Sequence, residues 1–136
     1  VDDAVCAVRS AMTEGILPGS GLALYNIVNN YLEQKDEDEN PGSKKIAYAI
    51  LKDALVAPIK QILENGGLDL KETYNQEFTE GFGYDVKNDE YGDLIKLGVI
   101  DPMKVTKSAL QNAVSVAVTI LSTNAIVTMA RSIEKQ

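Results

Sequence analysis

The stretch GVIDPMKVTKSALQNA, residues 98–113, decides how this chain is read. Asp101 followed by Pro102 has the chemistry of a helix start. A carboxylate accepts from the orphan N–H groups of a first turn, and proline suits the first helical position, where no N–H is needed. Beyond it, Val105, Ala109, Leu110, Ala113, Val114, Val116, Ala117, Val118, Ile120 and Leu121 leave almost no polar face. The pattern predicts a helix over 102–122, about 30 Å long, and one so apolar belongs in the middle of a domain. The composition of the whole chain bears on whether Asp101 only caps that helix or also holds something outside the protein.

At 136 residues the chain has the length of one domain, able to bury about 70% of its unfolded surface. Thirteen Lys plus Arg against twenty Asp plus Glu give a net charge of −7, which repels phosphate backbones and anionic lipid. Nucleic acid and membrane surfaces are therefore excluded as expected partners. The single cysteine, Cys6, allows no internal disulfide and fits a reducing compartment. With no histidine, a His-dependent triad or a zinc site of the usual kind is excluded. The most apolar run, residues 113–130, is broken by Ser115, Thr119, Ser122, Thr123, Asn124 and Thr128. It lacks the roughly 20 continuous apolar residues of a membrane span and reads as buried core. No targeting signal is visible at the start, and a chain that begins at Val1 inside a helical pattern reads as an excised or processed piece.

Val1, Ala4, Val5, Val8, Ala11 and Met12 form the stripe of an amphipathic helix that stops at Gly15. After ILPGSG, residues 16–21, a second helix of about three turns is predicted through Leu22, Ala23, Leu24, Ile27, Val28, Tyr31 and Leu32. Residues 33–43 carry five acids against one Lys and read as a solvated loop. Ile46, Ala47, Ala49, Ile50, Ala54 and Leu55 support a third helix. Pro58 marks a boundary or kink before Ile59, Ile62 and Leu63, so two short helices or a bent pair are expected up to Gly66. A short helix falls within 68–78, a strand over FGYDV at 82–86 with a hairpin partner near Glu90 and Tyr91, and a helical turn at 93–97. NAIVTM, 124–129, is a further possible strand, and no internal repeat is present. The fold class is mainly α, with a long central helix and a small β-hairpin.

The motifs taken singly carry little chemistry. PGSG at 18–21 lacks the Lys and Ser/Thr of a phosphate-cradling loop, and a helix-to-helix turn explains its glycines. Asp2 and Asp3 complement the dipole of a first turn. Cys6 lies on the polar face without a cationic neighbour.

In order, however, the segments VDDAVCAVRSAMTEGILPGSGLAL, LVAPIKQILENGG, FGYDVKNDEYGDLIKLGVIDPMKVTKSALQNAVSVA and TNAIVTM resemble GroEL-type group I chaperonins, the 60-kilodalton chaperonins. The spacing from Glu90 to Ala113 is the most specific part. The resemblance implies that 1–15 ends an intermediate-domain helix, 16–130 is the C-terminal part of the equatorial ATP-binding domain, and 131–136 is a tail. It gives Asp3 the role of the catalytic aspartate that positions the attacking water. Gly19 and Ser20 fall where glycine backbone lies against the nucleoside, Asp85 and Val86 beside the base, and Asp101 where a carboxylate accepts from ribose hydroxyls. No metal ligand is carried over.

There are departures. Ser20 replaces a usual glycine, and a positive φ there would strain it. Asp85 replaces an Asn, Val86 and Lys87 replace alanines, Asn124 replaces a common Glu, and the Gly-Gly-Met tail is missing after Ala130. The family's D-G-T-T-T phosphate loop, metal-binding aspartates and apical domain have no counterpart in these residues.

ATP and Mg²⁺ are thus expected for the parent protein, with no cofactor bound by the fragment and no hydrolysis by it alone. Expected partners of the parent are other subunits of a homo-oligomeric ring, a co-chaperonin and unfolded polypeptides, in bacterial cytoplasm or an organelle matrix. Exposed core would drive self-association of the fragment. Two other readings stand beside this one: a non-catalytic helical interaction module on the same scaffold, and an unrelated acidic helical protein.

Overall fold

The structure, a computed structural model, describes residues 1–32, 42–74, 80–125 and 127. In chain order the elements are α1 (Asp2–Glu14), β1 (Ile16–Pro18), α2 (Leu22–Ile27), a π-helical continuation (Val28–Leu32), α3 (Ser43–Asn65), α4 (Leu70–Thr73), β2 (Phe82–Asp85), β3 (Glu90–Asp93), β4 (Ile100–Pro102) and α5 (Met103–Leu121). The mainly α fold with a small hairpin is as the sequence predicts. β2 and β3 pair antiparallel, Tyr84 opposite Tyr91 and Asp85 opposite Glu90. A second ribbon was not foreseen: β1 pairs antiparallel with β4, Leu17 opposite Asp101. Most of the acidic run (33–41), the end of the 68–78 helix (75–79), much of NAIVTM and the tail (126 and 128–136) lie outside the described residues. Asn124, Ala125 and Val127 belong to no strand.

Pro58 does not divide α3, which runs unbroken from Ser43 to Asn65. Proline removes one helical hydrogen bond and crowds the preceding turn, at about 3 kcal/mol. Leu55, Ile59 and Leu63, spaced at i, i+4 and i+8, are at most 3% exposed, and burying each is worth about 1.5–3 kcal/mol. Burial of that stripe outweighs the proline. Ile59 and Leu63 meet Leu22 and Leu94 in the main core, with Tyr25, Tyr74, Tyr84 and Val86 packed around it. Val28, Leu32 and Leu55 form a second cluster that Leu110 touches.

The long helix forms, but it is not the centre of this chain: α5 has no buried residue, and positions 111–121 are all exposed. Its apolar circumference exceeds what α1, β4 and a few core side chains can cover. The stripe foreseen on α1 also faces outward, with Val5 45%, Val8 59% and Met12 83% exposed. The half-buried face of α1 is Ala7, Ser10, Ala11 and Glu14, of which only Ala11 belongs to that stripe. Ala7, Ser10 and Ala11 are small, which suits the approach of α1 to α5, and Lys107 closes the pair on Glu14 at 2.9 Å. No helix among the described residues is long and apolar enough to cross a membrane.

Candidate functional site

The PGSG turn is where the sequence-derived site residues converge. β1 delivers the chain to Gly19, whose N–H donates to Val99 O at 2.9 Å, locking the turn to the residue that precedes β4. A Cβ on Gly19 would stand 3.1 Å from Val99 C and 3.2 Å from Ile100 N, so a larger residue would push the two backbones apart by a few tenths of an ångström. Ser20 has φ +56°, the left-handed conformation that strains a residue with a Cβ. Its hydroxyl donates to Tyr84 O at 3.4 Å, a long bond that ties the turn to β2. Gly21 follows at φ +73° and starts α2. Gly19 and Ser20 therefore join the Asp101 edge on one side to the Tyr84–Asp85 edge on the other.

Asp101 does not cap α5. The N-cap position is Pro102, with φ −67° and ψ 124°, and no side chain caps the helix. Pairing with Leu17 holds residues 100–102 extended, so the helix begins one residue late and the carboxylate is released from its first turn. Asp101 is half-buried and has no hydrogen-bond or ion-pair partner among the described residues. Burial pushes its pKa above the ordinary carboxylate value, because desolvation disfavours the ionised form. A carboxyl whose folded pKa is raised favours folding in its protonated form, and that contribution is lost as pH rises through the folded value. Asp101→Asn should therefore stabilise the chain at pH 7 by a few tenths of a kcal/mol, after discounting for its exposed part. The gain should vanish as pH falls through the carboxylate range, which urea midpoints at pH 3, 5 and 7 would show.

Asp85 is 5% exposed, but its carboxylate closes on its own turn. One oxygen accepts from the N–H groups of Lys87 (3.0 Å) and Asn88 (3.4 Å), and the other from Asn88 Nδ2 at 2.6 Å. Burial alone would raise its pKa, yet these donors together with the Lys87 charge outweigh it and hold the carboxyl below the usual range. Val86 is wedged against the end of α3, where a Cβ on Gly66 would collide with Val86 Cγ1. Asn88 was missed from sequence, although the D-x-x-N spacing of an Asx-type turn carries the signal. Asp3 is exposed in the first turn of α1, about 18 Å along the helix axis from Gly15. It has no hydrogen-bond or ion-pair partner among the described residues.

A cavity of about 860 Å³ lies elsewhere, between α2 and the first half of α5, and none of the residues carried over from the resemblance lines it. Among the described residues no group of three or more Asp, Glu, Cys or His could hold a metal ion.

Comparison with known proteins agrees with this architecture. The model of the TCP-1/cpn60 chaperonin family matches residues 1–131. Among solved structures, the chain is similar to a group III chaperonin in the open state, with 28% identity and a TM-score of 0.74 over 87% of this chain. The match spans 25% of that protein's length. A β1–β4 ribbon carrying a glycine turn beside a half-buried carboxylate thus sits in a sequence that the family model covers almost from end to end, and the chain belongs to the TCP-1/cpn60 chaperonin family.

Proposed function

We propose that this chain is part of a group I chaperonin subunit, one that assists protein folding at the expense of ATP, and that residues 16–130 supply the nucleoside wall of its equatorial domain. The observation that carries the reading is Asp101: a half-buried carboxylate without a donor among the described residues, beside a backbone so close-packed that a Cβ on Gly19 would stand 3.1 Å from Val99 C. An acceptor-only group in that state suits a vicinal diol, whose two O–H groups would satisfy it. The residue order from Glu90 to Ala113 supports the group I assignment.

The residues present fit a nucleoside in part. Gly19 and Ser20 offer bare or nearly bare backbone, Asp101 would hold the ribose, and Val86 would give an apolar surface to the base. Asp85 would support the base side only through its turn, because its oxygens are already bonded. Asp3 is assigned to orienting water, as an ionised carboxylate can. Mg²⁺-bound ATP would bring the γ-phosphate that water attacks. Phosphoryl transfer relies on positioning and on charge stabilisation by metal and backbone donors. A chain offering one nucleoside wall and one distant carboxylate should not perform it. The parent is proposed to act as a homo-oligomeric ring with a co-chaperonin and unfolded polypeptides, in bacterial cytoplasm or an organelle matrix.

The purified 136-residue chain is expected to release no phosphate from ATP above a buffer blank. At millimolar adenosine, amide NMR signals of Gly19, Ser20 and Asp101 should shift, adenine alone should shift them less, and Asp101→Ala should remove the difference. Hydrolysis by a preparation free of host chaperonin, or shifts confined to other regions, would refute the reading. A second reading, a non-catalytic interaction module on the same scaffold, is favoured by the strained Ser20 and the self-occupied Asp85. Absence of any adenosine-dependent shift would select it.

A further inference from the structure

The two sides of the proposed nucleoside wall belong to different two-stranded sheets, β1–β4 with Asp101 and β2–β3 with Asp85. Both strands of such a sheet are edges, each with peptide groups that pairing leaves open and that need partners elsewhere. At Tyr84 on β2 both groups have one, and each is a hydroxyl from a distant part of the chain. The N–H donates to Tyr74 Oη at 3.0 Å, and the C=O accepts from Ser20 Oγ at 3.4 Å. Gly83 makes room for the tyrosine, since a Cβ there would lie 2.9 Å from its hydroxyl. Tyr25 and Tyr91 brace the Tyr74 ring, with centroids 5.6 and 6.2 Å away. Beyond Tyr84 the turn closes on itself: Tyr84 Oη donates to Asp89, and the Asp89 N–H donates to Asp85 O at 2.9 Å. A displacement of Tyr84 therefore carries Asp85 and Val86 with it.

Ser20 is the costly member of this grip. Glycine would adopt its φ of +56° without strain, but would leave the Tyr84 C=O without the hydroxyl. Strain of this kind persists where the surrounding structure uses it, most often at ligand sites. Resting on the nucleoside reading above, we infer that Ser20 and Tyr74 are positioning residues: they hold Tyr84 at its C=O and its N–H, and so set how far the base side, Val86 and its turn, stands from the sugar side. Neither residue needs to touch the nucleoside. Gly19 bonds the same turn to Val99 O on the sugar side, so two consecutive residues tie the halves of the wall together before ligand arrives. Such preorganisation lowers the ordering cost of binding.

The test separates the hydroxyl from the strain. Ser20→Ala removes the hydroxyl and keeps the left-handed backbone strained, whereas Ser20→Gly removes both hydroxyl and strain. In the 136-residue chain at millimolar adenosine, amide NMR signals of residues 86–88 should shift along with that of Asp101. The ratio of base-side to Asp101 shifts does not depend on how much ligand is bound. It should fall about twofold or more in both serine variants, although the urea midpoint of Ser20→Gly lies above that of Ser20→Ala. Tyr74→Phe, which keeps the ring and loses the acceptor, should lower the ratio as well. A ratio unchanged in both serine variants, or one that falls in Ser20→Ala and not in Ser20→Gly, would overturn the inference, because Ser20 would then act on stability alone. A shift at Asp101 with none at 86–88 in the unmodified chain would also overturn it while the nucleoside reading stands. No shift at any of these residues would remove the reading and the inference together.

Discussion

Gly21→Ala should destabilise the chain by about 3 kcal/mol or more, enough to remove much of the stability of a domain this size. Two costs coincide there. The residue sits at φ +73°, and an added Cβ would lie 2.7 Å from Ile59 N and 2.9 Å from Ile59 Cα. Neither neighbour is a flexible side-chain end; both are backbone in the middle of α3. The turn must either shift, breaking the approach of α2 to α3, or open at Gly19, where the Val99 bond holds it. Gly67→Ala isolates the conformational part. Its φ of +77° is similar, but no atom lies within 4 Å of the added methyl, so a loss of only about 1 kcal/mol is expected. Urea midpoints of the two variants, measured side by side, decide the matter: equal losses would mean that α2 and α3 are not in backbone contact.

The second large effect locates the core. Ile59→Ala should cost about 3–4 kcal/mol, because its side chain is wholly buried among Leu22, Leu63 and Leu94 in a cluster too small to close over the gap. Val118→Ala, on the most apolar helix, should change stability by less than about 0.5 kcal/mol. Val118 is 58% exposed, and alanine's better helix propensity offsets the little packing lost. A reversal of that order in denaturant unfolding would place the hydrophobic centre on α5 and contradict the arrangement of α3 described above.

The two pairs of variants mark where sequence reading succeeds. Periodicity located α1, α2 and α5 and the FGYD–EYGD hairpin, because each is set by local spacing: three or four residues per turn for the helices, two per pleat with a tight turn for the hairpin. At Pro58 local geometry allows a boundary or a kink, and the boundary is ruled out by an α3 that continues through it, held by the burial of Leu55, Ile59 and Leu63. Periodicity failed in part on α1, where hydrophobicity chose the stripe Val1, Ala4, Val5, Val8, Ala11 and Met12, of which only Ala11 is half-buried, beside Ala7, Ser10 and Glu14. Close approach of two helices rewards small side chains as well as apolar ones, and a hydropathy stripe does not record size.

The sequence by itself determined the family, the helical class, the hairpin and the residues Gly19, Ser20 and Asp101 as a set worth examining, since all of these rest on residue identity and short-range order. Tertiary structure alone decided that Asp101 is free of the α5 cap, that Asp85 is consumed by its own turn, and that Asn26 Oδ1 has no partner among the described residues. The physical reason is common to the three. Whether a polar side chain is available depends on which donors the fold brings within about 3 Å of it. For Asp101 that answer came from β1, more than eighty residues away along the chain, which pairs with β4 and pulls the carboxylate out of the helix it was spelled to begin.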